Sequence, residues 1–281
     1  MTDTLKNTAL FGLVAVLIIG TGFVQSWDSA LFILNFGLIS AIMALGVNLQ
    51  WGFAGLFNVG IMGFVALGGL AAVLIGMEPR ADAFAAGGVQ VITGLVLGAA
   101  TITAAVLLQS RFPAGGVRLL LTWLIVIGGF FAYRTIFDVG VAAIEADEPA
   151  RYGYLGGFGL PIILAWPVGG LLAAGAAWVI GKTALGLRSD YLAIATLGIS
   201  EIIIAVLKNE DWLSRGVKNV NGIPRPVAYE VDLQADPTFV ERAAGLGLDP
   251  VSASTLYVKV SYGVLFAIVL VIVLVLAQLA L

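Results

Sequence analysis

Glu201 is the only charged side chain in the run from Tyr191 to Leu207, YLAIATLGISEIIIAVL. A charged group at the centre of a membrane helix costs on the order of 2.5–3.5 kcal/mol. An acid kept there is by default a functional group, here a polar contact along a pathway. The structural alternative is an acid satisfied by a neighbouring Ser, Thr or Asn, or by Lys208 two turns outward on the same face. A second set of polar groups in apolar surroundings is the junction NLQWGFAGLFNVG, Asn48 to Gly60. Asn48, Gln50 and Asn58 offer hydrogen bonds there, while Gly52, Gly55 and Gly60 loosen the backbone. From Ser29 to Met77, 49 residues, no side chain is charged. A helix of that length would run about 74 Å, more than twice the hydrocarbon thickness, so two spans must meet inside the run. The junction is then either a tight cytoplasmic turn or a broken helix at membrane depth. Irregular backbone at that depth is tolerated only beside protein or water, which would make the break line a path.

Other chemistry finds little support. With 0 His and 0 Cys, the common zinc and haem ligands, thiolate catalysis and disulfides are excluded. The sequence has no G-x-x-x-x-G-K-[ST] phosphate loop, H-E-x-x-H pair or G-x-S-x-G elbow. We expect no catalytic residue, no metal site and no cofactor, and transport is a better class than enzyme. A net charge of −3 and a pI near 4.9 argue against nucleic acid as a partner.

Positioning these groups requires membrane helices. Hydrophobic residues make up 60% of the 281, charged residues 11%, and the mean hydropathy is +1.05, where soluble domains carry about a quarter charged residues. The apolar runs are continuous, unlike the roughly ten-residue alternation of barrel strands. The expected fold is all-α and polytopic, a single transmembrane domain over 1–281. Apolar windows predict about eight helices, near 9–26, 30–49, 59–76, 89–109, 118–137, 158–181, 190–207 and 257–281, one of them broken if the junction is not a turn. Lys6 is followed by no small-residue cleavage site before Trp27, so the first window reads as a retained helix. A cytoplasmic N-terminus places Lys6, Arg111, Arg118, Lys182 and Arg188 inside and leaves Arg80 and Arg151 in short outer loops, as the positive-inside rule asks. Trp27, Trp166 and Trp212 then fall at outer ends, and Trp123 and Trp178 near inner ends, as aromatic belts. Arg134 and Lys259 lie close enough to outer ends to snorkel. Small-residue stripes at Gly169, Ala173, Ala177 and Gly181, at Gly94 and Gly98, and at Gly68, Ala72 and Gly76 predict close helix packing. The extracytoplasmic stretch 208–256 is too long for a simple connector. It reads either as a docking surface or as a solvated cap, and so does the smaller acidic loop from Asp138 to Arg151.

Three stretches together resemble the LivM-type permease subunit of branched-chain amino acid ABC importers. They are ALGVNLQWGFAGLFNVGIMGFVALGG, LGLRSDYLAIATLGISEIIIAVLKNEDWLSRGVKNVNGIP and the crossing from Leu256. The resemblance implies a multi-pass subunit of the bacterial inner membrane, of the ABC importer permease fold. It also implies partners: a second, LivH-like permease, two cytoplasmic ATPase subunits and a periplasmic substrate-binding protein. The glycine-rich element of that family maps onto Gly52, Gly55, Asn58 and Gly60. The second motif maps onto Asp190, Tyr191, Thr196, Gly198, Glu201, Asn221 and Gly222. On this reading Asn48, Gln50, Gly52, Gly55, Asn58, Gly60, Thr196 and Glu201 are candidates for the substrate pathway, and Asn219, Asn221 and Gly222 for partner contact. Urea and short-chain amide permeases look similar, and an ATP-independent channel or carrier is a further alternative. Permeases of this kind continue into a basic cytoplasmic segment that docks the ATPase, so we expect this chain to be a truncated form of a longer permease.

Overall fold

The structure, a computed structural model, describes residues 3–150 and 152–280, with side chains from residue 4 to residue 279. Arg151, counted above among the outer charges, lies outside the described residues. Among these residues no β-strand forms, and seven helices are long and apolar enough to cross a membrane. The chain is an all-α, multi-pass membrane protein. Its helices are α1 (Asp3–Val24), α2 (Trp27–Asn48), α3 (Ile61–Gly76), the short α4 (Ala81–Ala83), α5 (Val89–Arg111), α6 (Gly116–Ala146), α7 (Ala165–Ala184), α8 (Ser189–Asn209), the short α9 (Asp211–Ser214), α10 (Glu230–Ala235) and α11 (Pro237–Gly245), and α12 (Pro250–Ala280). A π-helical turn extends α2 over Leu49–Phe53, and another joins α4 to α5 over Phe84–Gly88.

The residues group into two compact units. One contains α3 to α7, α8 from Ile194 onward, α9 and the chain to Pro224. Its tightest pairing is α5 with α6: a Cβ on Gly94 would meet Phe137, and one on Gly87 would meet the Gly140 carbonyl. α3 packs on α7 through the predicted small residues, with Gly169 facing Gly68 and Ala71. The C-terminal carbonyls of α3 are satisfied by the segment preceding α7. Phe158, Gly159 and Leu160 donate to Leu74, Met77 and Ile75 at 2.8–2.9 Å. Gly156 and Gly159, at φ +77° and +64°, let the chain fold back there. Trp212 departs from its expected place in an aromatic belt. It is buried in a cluster with Ala83, Val91, Phe137 and Ile144, its ring edge-on to Phe137.

The other unit holds α1, α2, the 188–193 stretch and α10 to α12. α2 and α12 form its centre, and Lys259 does more than snorkel. Its ammonium pairs with Asp28 and reaches the Asp28 carbonyl at 3.3 Å, while its own carbonyl accepts from the Asn35 amide at 2.9 Å. Arg134 in the first unit likewise has a partner, Asp138, at 2.8 Å one turn away.

The long 208–256 stretch is largely structured, not an open loop. α9, α10 and α11 lie within it and α12 begins at Pro250, seven residues before the apolar window. The two Asp-Pro pairs explain two of these starts: Asp236 accepts from the Thr238 amide at 2.9 Å and Asp249 from the Ser252 amide at 3.0 Å, with Pro next in each case. The Thr238 hydroxyl and amide hold the Asp236 carboxyl below its ordinary value, and the Ser252 amide and hydroxyl do the same for Asp249. Because the folded pKa values are depressed, the caps contribute fully above the unfolded value of about 3.9 and are lost as pH falls through the folded values. Amide exchange in the first turns of α11 and α12, corrected for intrinsic rates, should therefore be constant from pH 7 to about 5 and quicken below about pH 4. In an Asp236→Asn chain, α11 should keep its cap and lose this acid onset. An unchanged onset in that variant would show that the carboxylate is not the cap.

Candidate functional site

The break between α2 and α3 is built from the residues the sequence singled out. In the α2 unit, the Asn58 amide donates to Gln50 Oε1 at 2.7 Å, and the Trp51 indole donates to the Asn58 carbonyl at 3.1 Å. The Trp51 and Phe57 rings lie 4.8 Å apart. Gly55 turns the chain at φ +64°, and Gly52 leaves room for the Asn48 side chain, which a Cβ would overlap. Asn48, Gln50, Gly52, Gly55 and Asn58 thus form one compact, internally hydrogen-bonded turn.

In the other unit, the start of α3 is fixed to α8. The Val59 amide donates to Thr196 Oγ1 at 3.2 Å, and the Gly63 amide donates to Ser200 Oγ at 2.7 Å. The first amides of a helix have no i−4 acceptor within it; Ser200 supplies one to Gly63 in the first turn of α3, and Thr196, one turn back on the same face of α8, holds Val59 two residues before the helix. Gly60 is buried against the Thr196 carbonyl, and Gly63 against Ser200. Ser200 and Gly63 escaped the sequence reading. Their signal was the matched spacing of Gly60 and Gly63 with Thr196 and Ser200, visible only once the two helices are known to touch.

Depth follows from arithmetic. α8 has 21 residues, about 31 Å, close to a full hydrocarbon crossing. Thr196 lies seven residues in from Ser189, roughly 10 Å along the axis, and Ser200 close to the midpoint. The irregular segment before α3 therefore ends well inside the span of α8. α2 with its π turn has 27 residues, about 40 Å, more than one crossing. α3 has only 16, about 24 Å, too few for one. The start of α3 thus lies beside the interior of α8 and not beside its first turn.

Glu201 lies on the opposite side of α8 from these contacts. It is exposed, together with Ile194, Gly198 and Ala205 on the same face, and makes no hydrogen bond or ion pair with any described residue. Both the small polar neighbours and Lys208, invoked above as ways to satisfy it, fail to do so. Asn219, Asn221 and Gly222 lie in the exposed stretch after α9, with the Asn219 carbonyl accepting from Arg215 at 2.7 Å. Among the described residues no group of three or more acidic, His or Cys side chains could hold a metal.

No family model matches the chain, and no solved structure matches it. Over 75 residues the sequence is 37% identical to the protein named "High-affinity branched-chain amino acid transport system permease protein LivM" from Escherichia coli strain K12. It is 36% identical, again over 75 residues, to the protein of the same name from Salmonella typhimurium strain LT2. The matched segment is 27% of this chain and 18% of the length of each relative. Over about a quarter of its length, this multi-pass chain is similar to two LivM permease proteins.

Proposed function

We infer that the chain is the transmembrane permease subunit of an ATP-driven importer for branched-chain amino acids, forming half of its translocation pathway. The substrate class is taken from the names of the two similar proteins. The observation that carries the permeation role is Glu201, an exposed acid without an internal partner near the middle of a crossing helix. Ionisable groups at that depth face a bundle interior or a water-filled cavity, not lipid. The exposed face of α8 that carries Glu201 thus belongs to an aqueous path. The chain itself is not an enzyme on this reading. Hydrolysis takes place on two cytoplasmic ATPase subunits, a second permease supplies the other half of the path, and a periplasmic binding protein delivers substrate. The membrane is the bacterial inner membrane and the N-terminus is cytoplasmic.

The test is uptake in proteoliposomes containing this chain with those partners. L-leucine should accumulate only with ATP and the binding protein, and accumulation should stop when the ATPase is inactivated. Leucine entry that is indifferent to ATP hydrolysis would sink the reading in favour of a channel or carrier.

A further inference from the structure

Beyond the break, α3 and α8 run side by side toward their C-terminal ends and line an open cleft of about 460 Å³, within the range of small-molecule sites. Its walls are apolar, with Leu70 and Val73 from α3 and Ile204 and Leu207 from α8. Its rim is the turn from Ser214 to Val220, and Lys208 closes the end of α8. That rim is a fixed structure. Arg215 is buried and donates to the carbonyls of Asn219 and Ala150 at 2.7 and 3.2 Å. Arg215 and Gly216 are both left-handed, at φ +63° and +57°, and a Cβ on Gly216 would overlap the Asp211 carboxylate and the Lys208 carbonyl. Two cations line the cavity. Lys218 is neutralised by Asp211 at 2.8 Å, whereas Lys208 has no ion pair with any described residue.

One uncompensated cation above an aliphatic pocket complements an anion carried on an aliphatic body. We propose that this cavity is a binding site for a free α-amino acid with a branched aliphatic side chain, its carboxylate on Lys208 and its side chain between Leu70, Val73, Ile204 and Leu207. The Ser214 and Asn219 side chains on the rim supply acceptors for the ammonium. The site rests on the permease reading above and gives that reading a substrate seat near the outer end of the path, separate from Glu201.

The sequence has 0 Cys, so Val217→Cys gives one reporter thiol at the rim. In phosphatidylcholine nanodiscs, L-leucine at about ten times its Kd should slow labelling by a water-soluble maleimide roughly tenfold, by mass action. L-leucinamide, which lacks the carboxylate, should not protect, and a Glu241→Cys reporter on α11 should feel neither. Adding Lys208→Gln should raise the half-protecting leucine concentration about tenfold or more, as for a lost charge-assisted hydrogen bond. Gly69→Val should abolish protection by filling the cavity, and should fold, because a Cβ there meets nothing within 4 Å. Equal protection by leucinamide, or protection indifferent to both substitutions, overturns the site. Protection by added phosphatidylglycerol that leucine does not increase assigns the cation to a lipid phosphate and also overturns it. If assembled transporter carrying Lys208→Gln or Gly69→Val takes up leucine unchanged, the site falls while the permease reading stands. Specific protection without any ATP-driven uptake by the unsubstituted assembly retains the site and removes the permease reading.

Discussion

A Gly60→Ala chain should be destabilised by about 2–6 kcal/mol, from overpacking at ~1–3 kcal/mol and the stranded Val59 amide at ~1–3 kcal/mol. The added carbon would overlap the Thr196 carbonyl oxygen and stand 3.1 Å from Ser200 Cβ. The nearest obstacle is helix backbone and cannot rotate away. α3 and α8 would have to separate by about an ångström or more, which lengthens the Val59–Thr196 and Gly63–Ser200 hydrogen bonds beyond useful geometry. Gly198→Ala makes the same chemical change on α8, where nothing lies within 4 Å. It should be neutral or stabilising by up to about 1 kcal/mol through helix propensity. Detergent-titration unfolding of the two variants should shift in opposite directions. If the two unfold alike, the contact between the break and α8 is wrong.

Glu201→Leu should have opposite effects on stability and on transport. Removing an exposed acid from mid-span relieves on the order of 2.5–3.5 kcal/mol of insertion cost, so the isolated chain should resist unfolding in a bilayer better than its parent. Leucine uptake by the assembled transporter should fall about tenfold or more, the scale of one lost charged hydrogen bond. Glu201→Gln, which keeps a polar group, should fall between the two. Uptake that survives both substitutions unchanged would leave Glu201 a bystander and remove the main support for a path along α8.

The helices were legible wherever apolar residues ran uninterrupted, and their ends were not. α6 extends nine residues beyond its window to Ala146, carrying Asp138 as the i+4 partner of Arg134, so a charge beyond an apolar window need not end the helix. α12 starts early for a reason the sequence did contain, an Asp-Pro cap that apolar windows ignore. The choice between turn and broken helix at Asn48 to Gly60 could not be made from those residues. The partners of Val59 and Gly63 are the Thr196 and Ser200 hydroxyls 137 positions away, which no local pattern links to them. Trp212 misled for a related reason: a tryptophan at a helix end looks like a belt residue unless Phe137 and Ile144 are known to cover it. Glu201 was easy to find, but its lack of an internal partner is a property of the fold alone.

The bond between Lys259 and Asp28 also sets a timetable. Its partners are separated by 231 positions, and at a synthesis rate of about 5–20 residues per second α2 waits roughly 10–50 s for α12. The unit containing α3 to α9 lies between them in sequence and can associate as it leaves the ribosome. The first two helices cannot be finished until the last is delivered. During that interval an aspartate at the head of α2 has no counter-charge from its own chain, and α1 and α2 depend on the insertion machinery or on lipid headgroups to hold them in place. A nascent chain halted before Lys259 would carry a nearly complete middle and an open pair of leading helices.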